Sequence, residues 1–198
     1  MSILLQNQFM VEEQSGFLRP LFEFDIRDPD GGQVVMECRE VTVKGMTRLL
    51  RMTSYKRSTP FDVHVCLPGG EPVMRLVRGV PVVASRVRVY DDGGAYIGGF
   101  HQRAWSVSGK FDVVDAHDEP VCKLVGRSRG KAFCFLTPDG VELARVTKQW
   151  AGLAKALFSS SDHYLVEIED IVPPDATLRC LILASAICVG LILKIELP

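Results

Sequence analysis

Arg127, Arg129 and Lys131 stand two residues apart in Gly126-Arg127-Ser128-Arg129-Gly130-Lys131, and Arg86 and Arg88 repeat the spacing upstream. On an extended strand this spacing puts alternate side chains on one face, where guanidinium groups can grip phosphate oxygens through paired N–H···O bonds. A second basic stretch holds Arg48, Arg51, Lys56 and Arg57. The plainer reading of all these cations is a solvated outer sheet face, and Arg127, Arg129 and Lys131 are the group that rises above it.

Other spacings that could do chemistry fail on inspection. Gly126-Arg127-Ser128-Arg129-Gly130 fits G-x-S-x-G, but a nucleophile elbow needs a strand turning sharply into a helix. Here a strand-like run, Lys131 to Leu136, follows directly. The same glycines are one residue too close for a phosphate-binding P-loop, and Ala132 stands where Ser or Thr is required. Asp28-Pro29-Asp30-Gly31-Gly32 opens like a calcium loop, yet Arg39 occupies the position of the closing Glu, so a hairpin turn is expected. His64, His101, His117 and His163 are far apart and none has a partner four residues on, so no zinc site is read. Trp105 and Trp150 are expected in the core rather than at a membrane interface. No constellation for bond-making catalysis emerges, and a non-enzyme is expected.

The elements that must position these residues follow a period of two. Phe22, Phe24 and Ile26 alternate with Glu23, Asp25 and Arg27, turn at Asp28 to Gly32, and return through Val34, Met36 and Cys38. The unit recurs around the turns Pro68-Gly69-Gly70, Asp91 to Gly94, Asp115 to Glu119 and Pro138-Asp139-Gly140. A later strand, His163 to Glu169, sets Tyr164, Val166 and Ile168 on one side. Five hairpins in succession predict an antiparallel meander, and a sheet of that many strands escapes exposed edges and accumulated twist by closing into a barrel.

The segment Cys180 to Leu193, CLILASAICVGLIL, is apolar on every face. Its 14 residues would rise ~21 Å as a helix, short of the roughly 20 apolar residues that a bilayer's hydrocarbon core requires. A helix apolar all round needs apolar surroundings, and the barrel interior offers them. The helix is expected over 176–194, with Asp175 as its N-cap and Lys194 at its C-terminal end. A tail-anchored membrane protein is the alternative.

Composition sets the remaining bounds. With 198 residues, 47% hydrophobic and 24% charged, one domain over 1–198 is expected. A formal net charge of −1 argues against strong non-specific nucleic-acid binding. Six cysteines without a C-x-x-C pair suit a reducing compartment, and no secretory signal pattern is read at Met1 to Glu13.

The C-terminal third resembles the phospholipid scramblases and their LURP-one-related relatives in the Tubby-like superfamily. The resemblance rests on Phe133 to Lys148, Trp150-Ala151-Gly152, Phe158-Ser159 with Asp162, Tyr164-Leu165-Val166 and the apolar terminal segment. Gln102, Trp105 and Lys110 to Asp115 look like the family's middle repeat, while the first hundred residues match in hairpin rhythm alone. The resemblance implies a mainly β fold: a closed antiparallel barrel of about twelve strands around a buried hydrophobic C-terminal helix. It also implies binding of anionic phospholipids or phosphoinositides at a membrane surface, linked to phospholipid scrambling, by a cytoplasmic and peripheral protein. The head-group contacts would be Arg127, Arg129, Lys131, Arg86 and Arg88. A non-catalytic interaction or regulatory module with a protein or nucleic-acid partner is the alternative. No Pro-rich extension or palmitoylation cysteine cluster of the animal members precedes Asn7, so transient lipid contact is expected. The family's proposed calcium segment reads here Ser160 to Ile168, in which Asp162 is the one early carboxylate. Calcium needs six to eight oxygens, so no cofactor is expected and Asp162 stands as a weak calcium candidate.

Overall fold

The computed structural model describes residues 2–14, 21–43, 45–51, 59–80, 85–102, 111–127, 132–149, 163–173, 177–189 and 191. Its strands are β1 (Gln8–Glu13), β2 (Glu23–Arg27), β3 (Val34–Glu40), β4 (Phe61–Cys66), β5 (Pro72–Arg78), β6 (Arg86–Asp91), β7 (Tyr96–Gln102), β8 (Phe111–Asp115), β9 (Pro120–Arg127), β10 (Ala132–Leu136), β11 (Glu142–Gln149) and β12 (His163–Ile168). Among the described residues two α-helices join them, α1 (Gly45–Arg51) between β3 and β4 and α2 (Thr177–Cys188) after β12.

Each strand pairs antiparallel with the next, and β1 closes the ring on β12. At the seam Phe9 faces Val166 and Val11 faces Tyr164, all four buried. The alternation read from the sequence holds along the strands: Phe61, Val63 and Val65 of β4 are buried between half-exposed neighbours, as are Tyr164, Val166 and Ile168 of β12. One face of the curled sheet therefore makes the core, and closure leaves no edge strand open to another chain.

Because strand direction alternates without exception, the connections sort to two ends. One end carries the five tight turns that the sequence marks. Four of them place a glycine at positive φ, and the fifth, between β8 and β9, places Asp118 there (φ 62). Asp115 steadies that turn, its Oδ1 accepting from the backbone N–H of His117 (2.8 Å) and Glu119 (3.0 Å). Asp is among the few side chains that tolerate this conformation, because it bonds locally to backbone. The other end carries the remaining connections, most of them longer, including α1.

Helix α2 runs through the barrel. Every residue from Leu181 to Cys188 is buried, so no face of the helix reaches water. It packs against β12 and β7, which lie nearly opposite each other in the ring. Cys180 lies within electrostatic reach of Asp91 and Asp92 at the tight-turn end, and Cys188 within reach of Arg78 at the other. The direction is thus fixed, N-terminus at the tight turns and C-terminus at the long connections. Gly98 of β7 (φ 137) makes room for this: a Cβ there would stand 2.2 Å from the Val114 carbonyl oxygen and 3.2 Å from Leu181. Burial pushes the Cys122 and Cys188 thiols up to about 12 and that of Cys38 upward too, so these cysteines act as small apolar side chains.

Arg179, in the first turn of α2, is buried and binds the chain around it. Its Nη1 donates to the carbonyls of Leu4 (3.0 Å) and Gln6 (2.9 Å), its Nη2 to Asn7 Oδ1 (2.7 Å) and the Val172 carbonyl (3.0 Å), and its Nε to the Pro173 carbonyl (3.0 Å). Asn7 in turn donates to Asp170 at 2.5 Å. One guanidinium thereby ties the segment before β1 to the segment after β12, at the seam of the barrel.

Twelve helical residues rise ~18 Å. Among the described residues no helix is long and apolar enough to cross a membrane. The tail-anchored alternative would place in a bilayer a segment that lies inside the barrel. Helix α2 starts at Thr177 and ends at Cys188, with Val189 and Leu191 buried beyond it; Asp175 and Lys194 fall outside the described residues.

Replacing Arg179 with Met should lower unfolding free energy by about 3–5 kcal/mol, because several buried carbonyls lose their donors at once. Arg179→Lys should recover less than half, since one ammonium cannot serve both sides of the seam. Gly98→Ala should cost roughly 2–4 kcal/mol. Gly69→Ala, with nothing within 4 Å of the added methyl, should stay within about 0.5 kcal/mol. Urea titrations followed by circular dichroism check all four.

Candidate anion-binding surface

Strand β6 carries Arg86 and Arg88 on its outer side, both exposed. The hairpin register sets Arg86 opposite His101 and Arg88 opposite Gly99 of β7, and Val77 of β5 flanks Arg88 on the other side. Among the described residues neither arginine has a carboxylate within ion-pair distance. That separates them from the other outer-wall arginines. Arg75 is held by Asp62 through two bonds of 2.7 and 2.5 Å, Arg145 by Glu142 at 2.7 and 3.1 Å, and Arg39 by Asp25 at 2.7 Å. A cation already neutralised by an adjacent carboxylate offers little to an incoming anion; Arg86 and Arg88 keep theirs.

The β8–β9 turn leans onto this wall. Tyr96 donates its hydroxyl to Asp118 Oδ1 at 2.6 Å, and His101 Nε2 stands 3.9 Å from the same oxygen. Burial, then the hydrogen bond to Asp118, raises the Tyr96 pKa, so the phenol stays protonated and donates. Burial, then repulsion from Arg86, lowers the pKa of His101 below its ordinary 6.5. Near neutral pH the wall presents two guanidinium cations beside a neutral imidazole. This arrangement can hold a phosphate-bearing anion; it contains no activated nucleophile. Tyr96 and Asp118 escaped the sequence reading, and His101 was weighed there for zinc alone, although counting outward from the Asp91–Gly94 turn pairs Arg86 with His101.

The second basic group lies mostly outside the described residues. Strand β9 ends at Arg127, which pairs with Ala132, the first residue of β10. Of Arg127, Arg129 and Lys131, β9 therefore carries the first alone, and Arg129 and Lys131 fall outside the described residues, as do Trp105, Trp150 and Asp162. Arg127 and Arg86 sit on the same rim of the barrel, three strands apart, or roughly 14 Å at the usual strand spacing.

Arg51, read as part of a second basic stretch, is a correction. It is buried and grips the buried Glu40 with both Nη atoms, Nη2 to Oε1 at 2.8 Å, while Nε donates to Thr59 Oγ1 at 3.1 Å. Its guanidinium carbon also lies 4.1 Å from the centroid of the Phe22 ring. The charge of Arg51 fastens α1 to the barrel and is not free for a ligand. Arg48, on the same helix, is exposed. Among the described residues no cluster of three His, Cys, Asp or Glu could hold a metal ion.

A fold of this kind occurs in a protein of Arabidopsis thaliana known from an X-ray structure. The two superimpose with a TM-score of 0.54 over 92% of this chain and 90% of that one, at 12% identity. That likeness shows the fold alone. No curated protein matches the chain. The scramblase family model matches residues 3–192, which takes in the barrel from before β1 together with all of α2, and on that match the chain belongs to the scramblase family.

Proposed function

We propose that this protein binds anionic phospholipid at the surface of a membrane, as its part in the phospholipid movement for which its family is named. The observation that carries the reading is the pair of exposed arginines, Arg86 and Arg88, which keep their charge where neighbouring arginines are paired with acids. Arg127, Arg129 and Lys131 are the second basic group of the reading, as their spacing in the sequence suggests. The protein makes and breaks no covalent bond in this reading. It works at the cytoplasmic face as a peripheral protein, with α2 staying in the barrel.

A phosphodiester between the Arg86 and Arg88 guanidinium groups would gain charge-assisted hydrogen bonds. Its negative charge would also favour protonation of the adjacent His101.

The protein should co-sediment with phosphatidylserine-containing vesicles and much less with phosphatidylcholine vesicles, and added salt should weaken the association. Arg86→Ala with Arg88→Ala should weaken binding roughly 30-fold, and separately the Arg127, Arg129 and Lys131 triple alanine variant roughly 150-fold, at ~1 kcal/mol per cation near the surface. Unchanged binding in either variant removes those residues from the site. In an NMR titration His101 should protonate below 6.5, and Arg86→Ala should move its midpoint upward. A midpoint indifferent to Arg86 would contradict the electrostatics of this wall.

A further inference from the structure

Helix α1 is built inside out. Its one buried side chain is Arg51, whereas Met46 and Leu49 are 72% and 65% exposed, and Leu50 is exposed beside them. These three stand at i, i+3 and i+4, so they form one apolar face turned outward. A surface helix ordinarily does the reverse, burying its apolar stripe and exposing its charges. The Arg51–Glu40 pair holds the helix this way round, because releasing Arg51 would leave a buried carboxylate without its cation. Val80, at the neighbouring β5–β6 connection, is 70% exposed at the same end, and that connection reads Gly79-Val80-Pro81-Val82-Val83-Ala84 without a polar side chain.

The two ends of the barrel also differ in charge. Each of the five tight turns carries at least one Asp or Glu, and none carries a Lys or Arg. In the six connections at the opposite end the one acid is Asp162. The β3–β4 connection alone holds Lys44, Arg48, Lys56 and Arg57 in addition to the paired Arg51. A formal net charge of −1 thus conceals a molecule with an acidic pole and a basic pole. Val141 and Ile171 are exposed at the acidic pole as well, but there they sit among carboxylates that an anionic surface repels. Exposed apolar side chains and connections rich in Lys and Arg coincide at the basic pole alone.

We infer that the protein docks end-on to an anionic lipid surface, with the basic pole facing the membrane and Met46, Leu49 and Leu50 of α1 entering the boundary between head groups and acyl chains, Val80 beside them. The inference rests on the lipid-surface reading above and adds the orientation and the inserting element. Cations draw the end to the surface and the apolar face anchors it, the two contributions that hold amphipathic helices at interfaces.

The test is co-sedimentation of the full chain with phosphatidylserine-containing vesicles. Met46→Ser, Leu49→Ser and Leu50→Ser together should weaken partitioning about tenfold. Val80→Ser should act in the same direction and less strongly, and Val141→Ser with Ile171→Ser should leave binding within about twofold. All of these side chains are exposed, and an unchanged thermal melt confirms that each variant is folded. Wild-type binding that the α1 and Val80 variants leave intact overturns the end-on inference and spares the lipid reading, as would be seen if this face served a protein partner. Failure of the wild-type protein to bind the vesicles takes down both.

Discussion

A helix without a polar face has to be enclosed, and the barrel is organised by that requirement. Eight successive buried residues of α2 can be satisfied only by walls on all sides, which a flat or two-layered sheet does not supply. The ring must then close at β1 and β12, strands at opposite ends of the sequence, and Arg179 is placed at that closure. It donates to backbone carbonyls on both sides of the seam and so converts the entry point of the helix into the fastening of the barrel. Burying a guanidinium among carbonyls is costly unless its donors are met. Here the partners come from the segments that need joining.

The charge distribution fits the direction in which the helix is threaded. The N-terminus of α2 lies at the acidic turns and its C-terminus at the basic connections, the sense in which a helix dipole is stabilised by surrounding charge. Arg78, buried at the basic end within reach of Cys188, belongs to the same pattern. The fold and the proposed lipid-facing surface are therefore linked. The meander sends alternate connections to opposite ends, which lets one end collect cations and apolar side chains while the other collects the Asp-rich turns that tight hairpins favour.

Most of the architecture was legible because hairpin signals are local. The turns at Asp28, Pro68, Asp91, Asp115 and Pro138 each announced two strands, and the all-round apolarity of Cys180 to Leu193 announced a core helix. The site was less legible because its determinants are long-range. Arg179 reads in sequence as a charge flanking an apolar run, and its acceptors at Leu4, Gln6 and Val172 appear only when the barrel closes. Arg51 looks like one more member of a basic stretch until Glu40 is found beneath it. Of Arg127, Arg129 and Lys131, whose spacing suits one face of a strand, β9 includes Arg127, and the other two lie outside the described residues. The acidic and basic poles stay invisible until alternate connections are assigned to opposite ends, because which end a connection joins is settled by the meander and not by its own residues.

Amide hydrogen exchange along α2 tests the account most directly. If the helix is the core around which the sheet closes, the amides of Leu181 to Cys188 exchange only through global unfolding, with the same free energy as the most protected strand amides and in the absence of lipid or detergent. Exchange of these amides at a markedly lower free energy, while the strands stay protected, would show a barrel that stands without its helix and would contradict the architecture proposed for it.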